Sequence, residues 1–241
     1  MTALITLSHG SRHQSAEPVV RKLTEAAGSL LGVPTMAAHL DFTAPDLPTA
    51  AIQLAAVGET EAVVVPLLFT RAFHARLDVP MVFAEALASS GLQLHLARGL
   101  DTGPEVAEVL AAKVQAEAPA GSHVVLYSVG SSNMAANQDV VDLAQDVGRR
   151  TGHSIEVLPA TGGPGRGGAG LIEISLQHRS VHLLPLFVAE GLLLEKVSTQ
   201  LEKISLATGA TLTASAPLGV DLAGVVVKRY QQAQDTLATS L

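Results

Sequence analysis

Short apolar runs alternate along the chain with longer stretches in which apolar residues recur at helical spacing. Val and Ile are concentrated in the short runs and Ala and Leu in the longer stretches, which are the preferences of strands and helices. The pattern predicts strands over residues 3–7, 34–40, 62–68 and 92–97, and helices over residues 16–31, 45–57, 77–90 and 104–118. Continuous apolar strands that alternate with helices indicate a parallel sheet covered on both faces.

The second half of the chain repeats this order, with predicted strands over residues 123–128, 154–158, 181–187 and 210–214 and a last helix over 221–237. The segment LSHGS at residues 7–11 aligns with YSVGS at 127–131, and VPL at 65–67 aligns with LPL at 184–186. A nearly constant offset of about 120 residues indicates an internal duplication. The sequence therefore predicts an α/β protein of two tandem doubly wound, flavodoxin-like lobes with parallel sheets, over residues 1–120 and 121–241.

Composition and charge exclude several classes of protein. The absence of cysteine removes disulfides, thiolate nucleophiles and zinc fingers, and leaves His, Asp and Glu as metal ligands. A net charge of −7 argues against nucleic-acid binding. No apolar run approaches the roughly 18 residues of a membrane-spanning helix, and the first residues lack the basic region of a signal peptide. We expect a cytoplasmic protein without membrane contact, and a monomer, because the duplication supplies both lobes.

The two halves differ at polar residues that follow their first and third strands. The aligned pairs are His9 with Val129, Arg12 with Ser132, His74 with Leu192, Arg76 with Leu194 and Asp78 with Lys196. Both copies of a duplicated unit keep the residues that the fold requires. Polar residues that are present in only one copy are therefore candidates for function. The carboxyl ends of parallel strands form the edge at which open α/β sheets bind ligands. Two imidazoles at that edge can accept protons or hold a divalent metal ion, the alternative being histidines that are satisfied within their loops.

Three segments of the first half carry a resemblance to a known family: LITLSHGSR at residues 4–12, VVVPLLF at 63–69 and HARLDVP at 74–80. Together they resemble the sirohydrochlorin chelatases, the class II chelatases of the cobalamin and sirohaem pathways. The second half is similar to the degenerate lobe of longer members. The resemblance implies insertion of Co²⁺ or Fe²⁺ into an octacarboxylate tetrapyrrole between two lobes and without an organic cofactor. Two imidazoles also bind Ni²⁺, which is a further candidate.

In this resemblance His9 is a proton acceptor and metal ligand, and His74 is the second catalytic histidine and ligand. The residues that would bind the tetrapyrrole are Ser8, Gly10, Arg12, Phe42, Phe69, Thr70, Arg71, Ala72, Phe73 and Arg76. Guanidinium groups at Arg12, Arg71 and Arg76 can pair with the carboxylates of the substrate, which reconciles an acidic protein with an anionic ligand.

Other polar residues near these motifs have two interpretations each. Asp41 or Asp78 can orient an imidazole or relay protons, or can be a surface carboxylate. His13 can serve as a third ligand or a metal-entry group, or can be a surface histidine. The other histidines share no spacing and are assigned no role, namely His39, His95, His123, His153, His178 and His182.

Three other functions compete with metal insertion. A metal or tetrapyrrole carrier without catalysis would use the same His9 and His74. A histidine phosphatase also places His-Gly after a first strand, but it requires a preceding arginine where this chain has Ser8. The segment GPGRGG at residues 163–168 matches a dinucleotide-binding fingerprint, but it contains a proline and no acidic residue follows at the end of the next strand, which favours an ordinary glycine-rich loop.

Overall fold

A computed structural model describes residues 2–70 and 78–239 of the chain. Their contacts define two compact units, Met1–Asp101 with Gly219–Leu241, and Thr102–Leu218. Each unit contains one four-stranded parallel sheet flanked by helices, so the predicted α/β class with two parallel-sheet lobes is confirmed. Across the described residues, no helix combines the length and the apolar character that crossing a membrane requires.

The sheet of the first unit has the strand order β2-β1-β3-β4. Its strands are β1 (Ala3–Ser8), β2 (Thr35–His39), β3 (Glu61–Pro66) and β4 (Gln93–Leu96). Its helices are α1 (Ala16–Leu31), α2 (Leu47–Ala56), α3 (Asp78–Ser90) and the C-terminal α9 (Ala223–Thr239), which follows a 3-10 turn at Gly219–Leu222. Ile5 and Leu7 of β1 pack in one core with Leu47 of α2, whereas Thr6 contacts Thr24 of α1. Alternation along β1 therefore places Ser8 on the α1 face of the sheet.

The second unit has the equivalent strand order β6-β5-β7-β8. Its strands are β5 (His123–Ser128), β6 (Ile155–Pro159), β7 (Ser180–Pro185) and β8 (Thr211–Ala214). Its helices are α4 (Pro104–Glu117), α5 (Met134–Thr151), α6 (Gly167–Gln177), α7 (Leu192–Ser198) and α8 (Leu201–Thr208). Leu7 pairs with Pro66 in the first sheet, and Tyr127 pairs with Pro185 in the second. This common register supports the alignment on which the predicted duplication rests.

The compact units differ from the predicted division at residue 120, because the two halves of the sequence exchange one helix. Helix α4 precedes that boundary but packs against α5 in the second unit, burying Val106, Leu110 and Val114 along one stripe. Helix α9 lies at the end of the chain but packs against α1 and β3 in the first unit. The repeat in the sequence locates the copies, whereas the compact units depend on which sheet each apolar helix face covers. The lobes 1–120 and 121–241 therefore remain a prediction about the duplication alone.

His182 of β7 makes the stability of the second unit depend on pH. The imidazole is buried, with Nδ1 at 2.8 Å from Thr213 Oγ1 and Nε2 at 2.9 Å from Ser215 Oγ. Burial lowers the pKa of His182 and outweighs the opposing charge of Glu117. In the unfolded chain a histidine titrates near 6.5, so below about that pH the unfolded state binds a proton that the folded state resists. Acidification therefore lowers the free energy of unfolding.

We expect the contribution of His182 to approach about 1.4 kcal/mol per pH unit below about pH 6.5. Replacing His182 with glutamine keeps hydrogen-bonding atoms but removes the titration, so the pH dependence should become flatter. Urea unfolding of both proteins at about pH 7.5 and about pH 5.5 measures the difference. If the free energy of unfolding of His182→Gln changes with pH as much as that of the wild type, this assignment is contradicted.

Candidate functional site

Two loops meet at the carboxyl ends of β1 and β2, where the predicted site residues begin. The amide of Asp41 donates to the carbonyl of His9 at 3.1 Å. The Thr43 hydroxyl donates to the carbonyl of Ser11 at 3.1 Å and accepts from the Ser11 amide at 3.2 Å. These bonds fix the loop that carries His9 against the loop that carries Phe42.

Gly10 allows the closest approach between these two loops. It has a φ of +84°, and a β-carbon at this position would lie 1.7 Å from the carbonyl oxygen of Asp41. Both the left-handed conformation and the short distance exclude a side chain. Glycine is therefore a structural requirement of the loop that follows His9.

His9, Phe42 and Arg12 form a cluster at this edge of the sheet. The rings of His9 and Phe42 are 6.0 Å apart and nearly perpendicular, at 88°. The Arg12 guanidinium carbon lies 4.6 Å from the centre of the Phe42 ring, a cation–π contact. Phe42 is 48% exposed although it is a large apolar residue, and its φ of 61° is unusual for a residue other than glycine. The cluster presents an imidazole, a cation and an apolar ring together.

Another histidine, His39, to which the sequence analysis assigned no role, contacts the residue that precedes His9. His39 ends β2 beside Ser8, and its Nδ1 is 2.7 Å from Ser8 Oγ, which also accepts from the amide of Gly10 at 3.1 Å. His39 is only 2% exposed, and burial lowers its pKa although the charge of Glu17 opposes this effect. Its Nε2 has no hydrogen-bond partner among the residues that the structure describes. The neutral imidazole of His39 therefore positions Ser8, whose hydroxyl accepts the hydrogen bond from the amide of Gly10 in the His9 loop.

The strand register contains the signal that sequence reasoning missed at His39. Ser8 pairs with His39 in the first sheet, whereas the equivalent Ser128 pairs with Pro159 in the second. His39 is thus another polar residue of the first copy without a counterpart in the second. An alignment extended through β2 would have identified it.

The structure brings together part of the predicted residue set. Ser8, His9, Gly10, Arg12 and Phe42 lie at one edge of the sheet. Phe69 and Thr70 follow β3, the neighbour of β1, and are half-buried. The other predicted members lie outside the described residues, namely Arg71, Ala72, Phe73, His74 and Arg76. The convergence of His9 and His74 remains a prediction.

The remaining candidates from the sequence are Asp41, His13 and Asp78. One carboxylate oxygen of Asp41 accepts from the amide of Phe42 at 2.8 Å, so this residue shapes the Phe42 loop. Nδ1 of His13 lies 2.8 Å from Ser15 Oγ. Asp78 is the first residue of α3. Their proposed roles as an orienting carboxylate, a third ligand or a proton relay remain predictions.

Replacing Gly10 with alanine should separate the two loops. The positive φ alone makes alanine unfavourable at this position, and the new β-carbon also clashes with the Asp41 backbone. We expect the clash to lower the free energy of unfolding by about 1–3 kcal/mol in addition to the loss caused by the positive φ. Gly32→Ala is the matched control, because Gly32 also has a positive φ, +69°, but nothing lies within 4 Å of the place that its β-carbon would occupy. Urea unfolding of both variants measures the difference, and equal losses would contradict the close approach.

Comparison with known proteins shows a family that this sequence matches and solved structures that share its fold. Residues 3–117 match the CbiX family model. Sequence comparison with curated proteins gives no match. A solved structure of SirB from Bacillus subtilis with Fe³⁺ superimposes with a TM-score of 0.79 at 18% identity, covering 99% of this chain and 98% of SirB. SirB from Bacillus subtilis subspecies spizizenii in complex with cobalt gives the same values, 0.79, 18%, 99% and 98%.

A third solved structure extends the comparison to denitrifying bacteria. CbiX, described as the terminal enzyme for biosynthesis of sirohaem in those bacteria, superimposes with a TM-score of 0.65 at 16% identity. The superposition covers 97% of this chain and 99% of that CbiX. At these identities the solved structures show that the fold is shared.

Proposed function

Because the chain belongs to the CbiX family, we propose that it is a sirohydrochlorin chelatase, which inserts a divalent metal ion into a tetrapyrrole. The observation that carries the proposal is the position of His9, at the carboxyl end of β1 in the matched half, beside Arg12 and Phe42. Co²⁺ and Fe²⁺ are the metals we propose, in cobalamin or sirohaem biosynthesis. The SirB structures, which hold cobalt or Fe³⁺, support this choice.

The proposed reaction exchanges two protons for one metal ion without any change of oxidation state. Two pyrrole N–H bonds break, bonds form between the metal and the macrocycle nitrogens, and two protons leave. A neutral imidazole has one basic nitrogen, which either holds a metal ion or accepts a proton. When the metal passes from His9 and His74 to the macrocycle, each histidine regains the lone pair that takes a proton. Proton transfer of this kind contributes about 10²–10⁴ to a rate.

Substrate binding in this proposal depends on the rest of the cluster. The exposed ring of Phe42 offers an apolar surface to a flat macrocycle, and the Arg12 guanidinium beside it can form paired hydrogen bonds to a carboxylate. Such local cations are necessary because the chain has a net charge of −7 and the substrate is an anion. We propose the same role for Arg71 and Arg76 and a macrocycle contact for Phe69, Thr70, Ala72 and Phe73, on the family resemblance.

Turnover with purified components tests the proposal. The protein is mixed anaerobically with sirohydrochlorin and either Co²⁺ or Fe²⁺, and the absorbance change that accompanies metallation gives the initial rate. We expect a rate above that of the same mixture without protein, and the ratio of the two metal rates reports specificity. A rate equal to the protein-free control would refute catalysis. Tight binding of metal or tetrapyrrole without acceleration would identify the protein as a carrier.

A further inference from the structure

Three side chains that are able to ligate a metal ion lie close together in the second unit, far along the chain from His9. His123 begins β5, Glu156 lies in β6, and His178 lies between the end of α6 and the start of β7. Each offers one ligand atom, and these atoms all lie within 4.8 Å of one another, the only group of three of this kind found in residues 2–70 and 78–239. The group lies towards the amino-terminal ends of its strands, whereas His9 follows the carboxyl end of β1.

One distance within the group is close to that between two ligands of one ion. Nε2 of His123 is 3.2 Å from Oε2 of Glu156. Two ligand atoms bound to one metal ion at about 2.1 Å lie roughly 3–3.5 Å apart. The rings of His123 and His178 are stacked, with centres 3.8 Å apart and planes at 2°. Because a lone pair lies in the plane of its ring, one ring must tilt for both to face one ion, so metal binding requires a rotation of His123 or His178.

The surroundings of His123 favour the neutral form of its imidazole. Burial and the neighbouring His178 lower the pKa of His123, and hydrogen bonding to Glu156 only partly opposes them. A neutral imidazole is the form that ligates metals. The carboxylate of Glu156 is 52% exposed, so water can reach the group and complete a coordination shell.

The internal duplication provides a second, independent observation in favour of a function for this group of side chains. By strand register and offset, the positions of the first copy that correspond to His123, Glu156 and His178 are Ala3, Met36 and Glu59. The first unit forms the same sheet without these two imidazoles, so the fold does not require them. An ordinary His–Glu pair occurs in that unit between His95 and Glu61, at 2.6 Å, and the second unit adds another imidazole to such a pair.

We propose that His123, Glu156 and His178 bind a divalent first-row transition metal ion at a site separate from that of His9. Two nitrogens and one carboxylate oxygen suit Zn²⁺, Co²⁺ or Ni²⁺, whereas Mg²⁺ and Ca²⁺ prefer oxygen ligands throughout. The exposed carboxylate makes this an exchangeable site rather than a closed structural one. The proposal is independent of the chelatase reaction, because all three residues belong to the second unit.

Equilibrium dialysis against Co²⁺ tests this site in the tag-free, full-length protein. The variant His9→Ala with His74→Ala removes the ligands proposed for the reaction, and we expect it to retain one Co²⁺ per chain. Adding His123→Ala, His178→Gln or Glu156→Gln should weaken that binding about tenfold or more. His95→Ala, which disrupts the ordinary His–Glu pair, is the matched control and should leave the affinity unchanged.

The outcomes separate this site from other roles of the same residues. Circular dichroism checks the fold of each variant, and His178→Gln, outside the strands and helices, provides the test if His123→Ala does not fold. Failure of the His9 and His74 variant to bind Co²⁺, or binding that ignores the His123 and His178 substitutions, would overturn the proposal. Metal insertion by the wild-type protein is assayed separately, so loss of chelatase activity and loss of this site are distinguishable.

Discussion

Replacing His9 with alanine is expected to lower the rate constant for metal insertion by about 10²–10⁴-fold, the usual contribution of a positioned proton acceptor. The loop should keep its conformation, because the bond that fixes it is made by the backbone carbonyl of His9, which accepts from Asp41. The neighbouring Arg12 and Phe42 also retain their contact. The loss should therefore appear in the rate constant for the chemical step more than in the Michaelis constant for the tetrapyrrole.

Initial rates with sirohydrochlorin and Co²⁺ measure this effect. His95→Gln is the control, because His95 is a histidine of the same unit whose side chain pairs with Glu61, away from the His9 loop. Its rate should remain within about twofold of the wild type, as expected for a group outside the reaction. If added imidazole restores part of the rate of His9→Ala, the missing function is that of the imidazole group itself. Equal rates for His9→Ala and the wild type would refute a catalytic role.

The sheets could be predicted because parallel strands buried on both faces form continuous apolar runs in the sequence. The duplication was equally visible, since motifs such as LSHGS and YSVGS keep their offset over the whole length. The exchange of α4 and α9 could not be predicted from the same pattern. The apolar stripe on each helix shows that it packs on a sheet, but it does not specify which of two similar sheets it covers.

The candidate site was partly predictable for a related reason. His9 and Arg12 lie next to a recognisable strand end, so their place at the sheet edge follows from the motif. The role of His39 depends on the pairing of β2 with β1, which brings it to Ser8 from 31 residues away. The conformation of Phe42, with its positive φ, is likewise set by contacts between loops. Such contacts between distant residues leave no periodic signal in the sequence.

Arg229→Met should strongly destabilise the first unit, because Arg229 joins the C-terminal helix to the chain after β4. Its side chain is 2% exposed. Nε donates to the carbonyl of Gly99 and Nη2 to that of Leu100, both at 2.9 Å. Methionine fills much of the same volume but leaves both carbonyls without their charged donor. We expect the free energy of unfolding to fall by about 3–5 kcal/mol, since each such bond is worth about 1.5–3 kcal/mol.

Tyrosine fluorescence can assign this loss to the first unit. The chain has two tyrosines and no tryptophan, and Tyr230 lies in the first unit whereas Tyr127 lies in the second. In a Tyr127→Phe background, urea unfolding followed at Tyr230 therefore reports the first unit alone. Arg21→Met is the matched control, because Arg21 is 51% exposed and pairs with Glu25 on the surface of α1, so its loss should be at most about 1 kcal/mol. If Arg229→Met shifts the Tyr230 transition no further than Arg21→Met does, α9 does not stabilise the first sheet through its buried guanidinium.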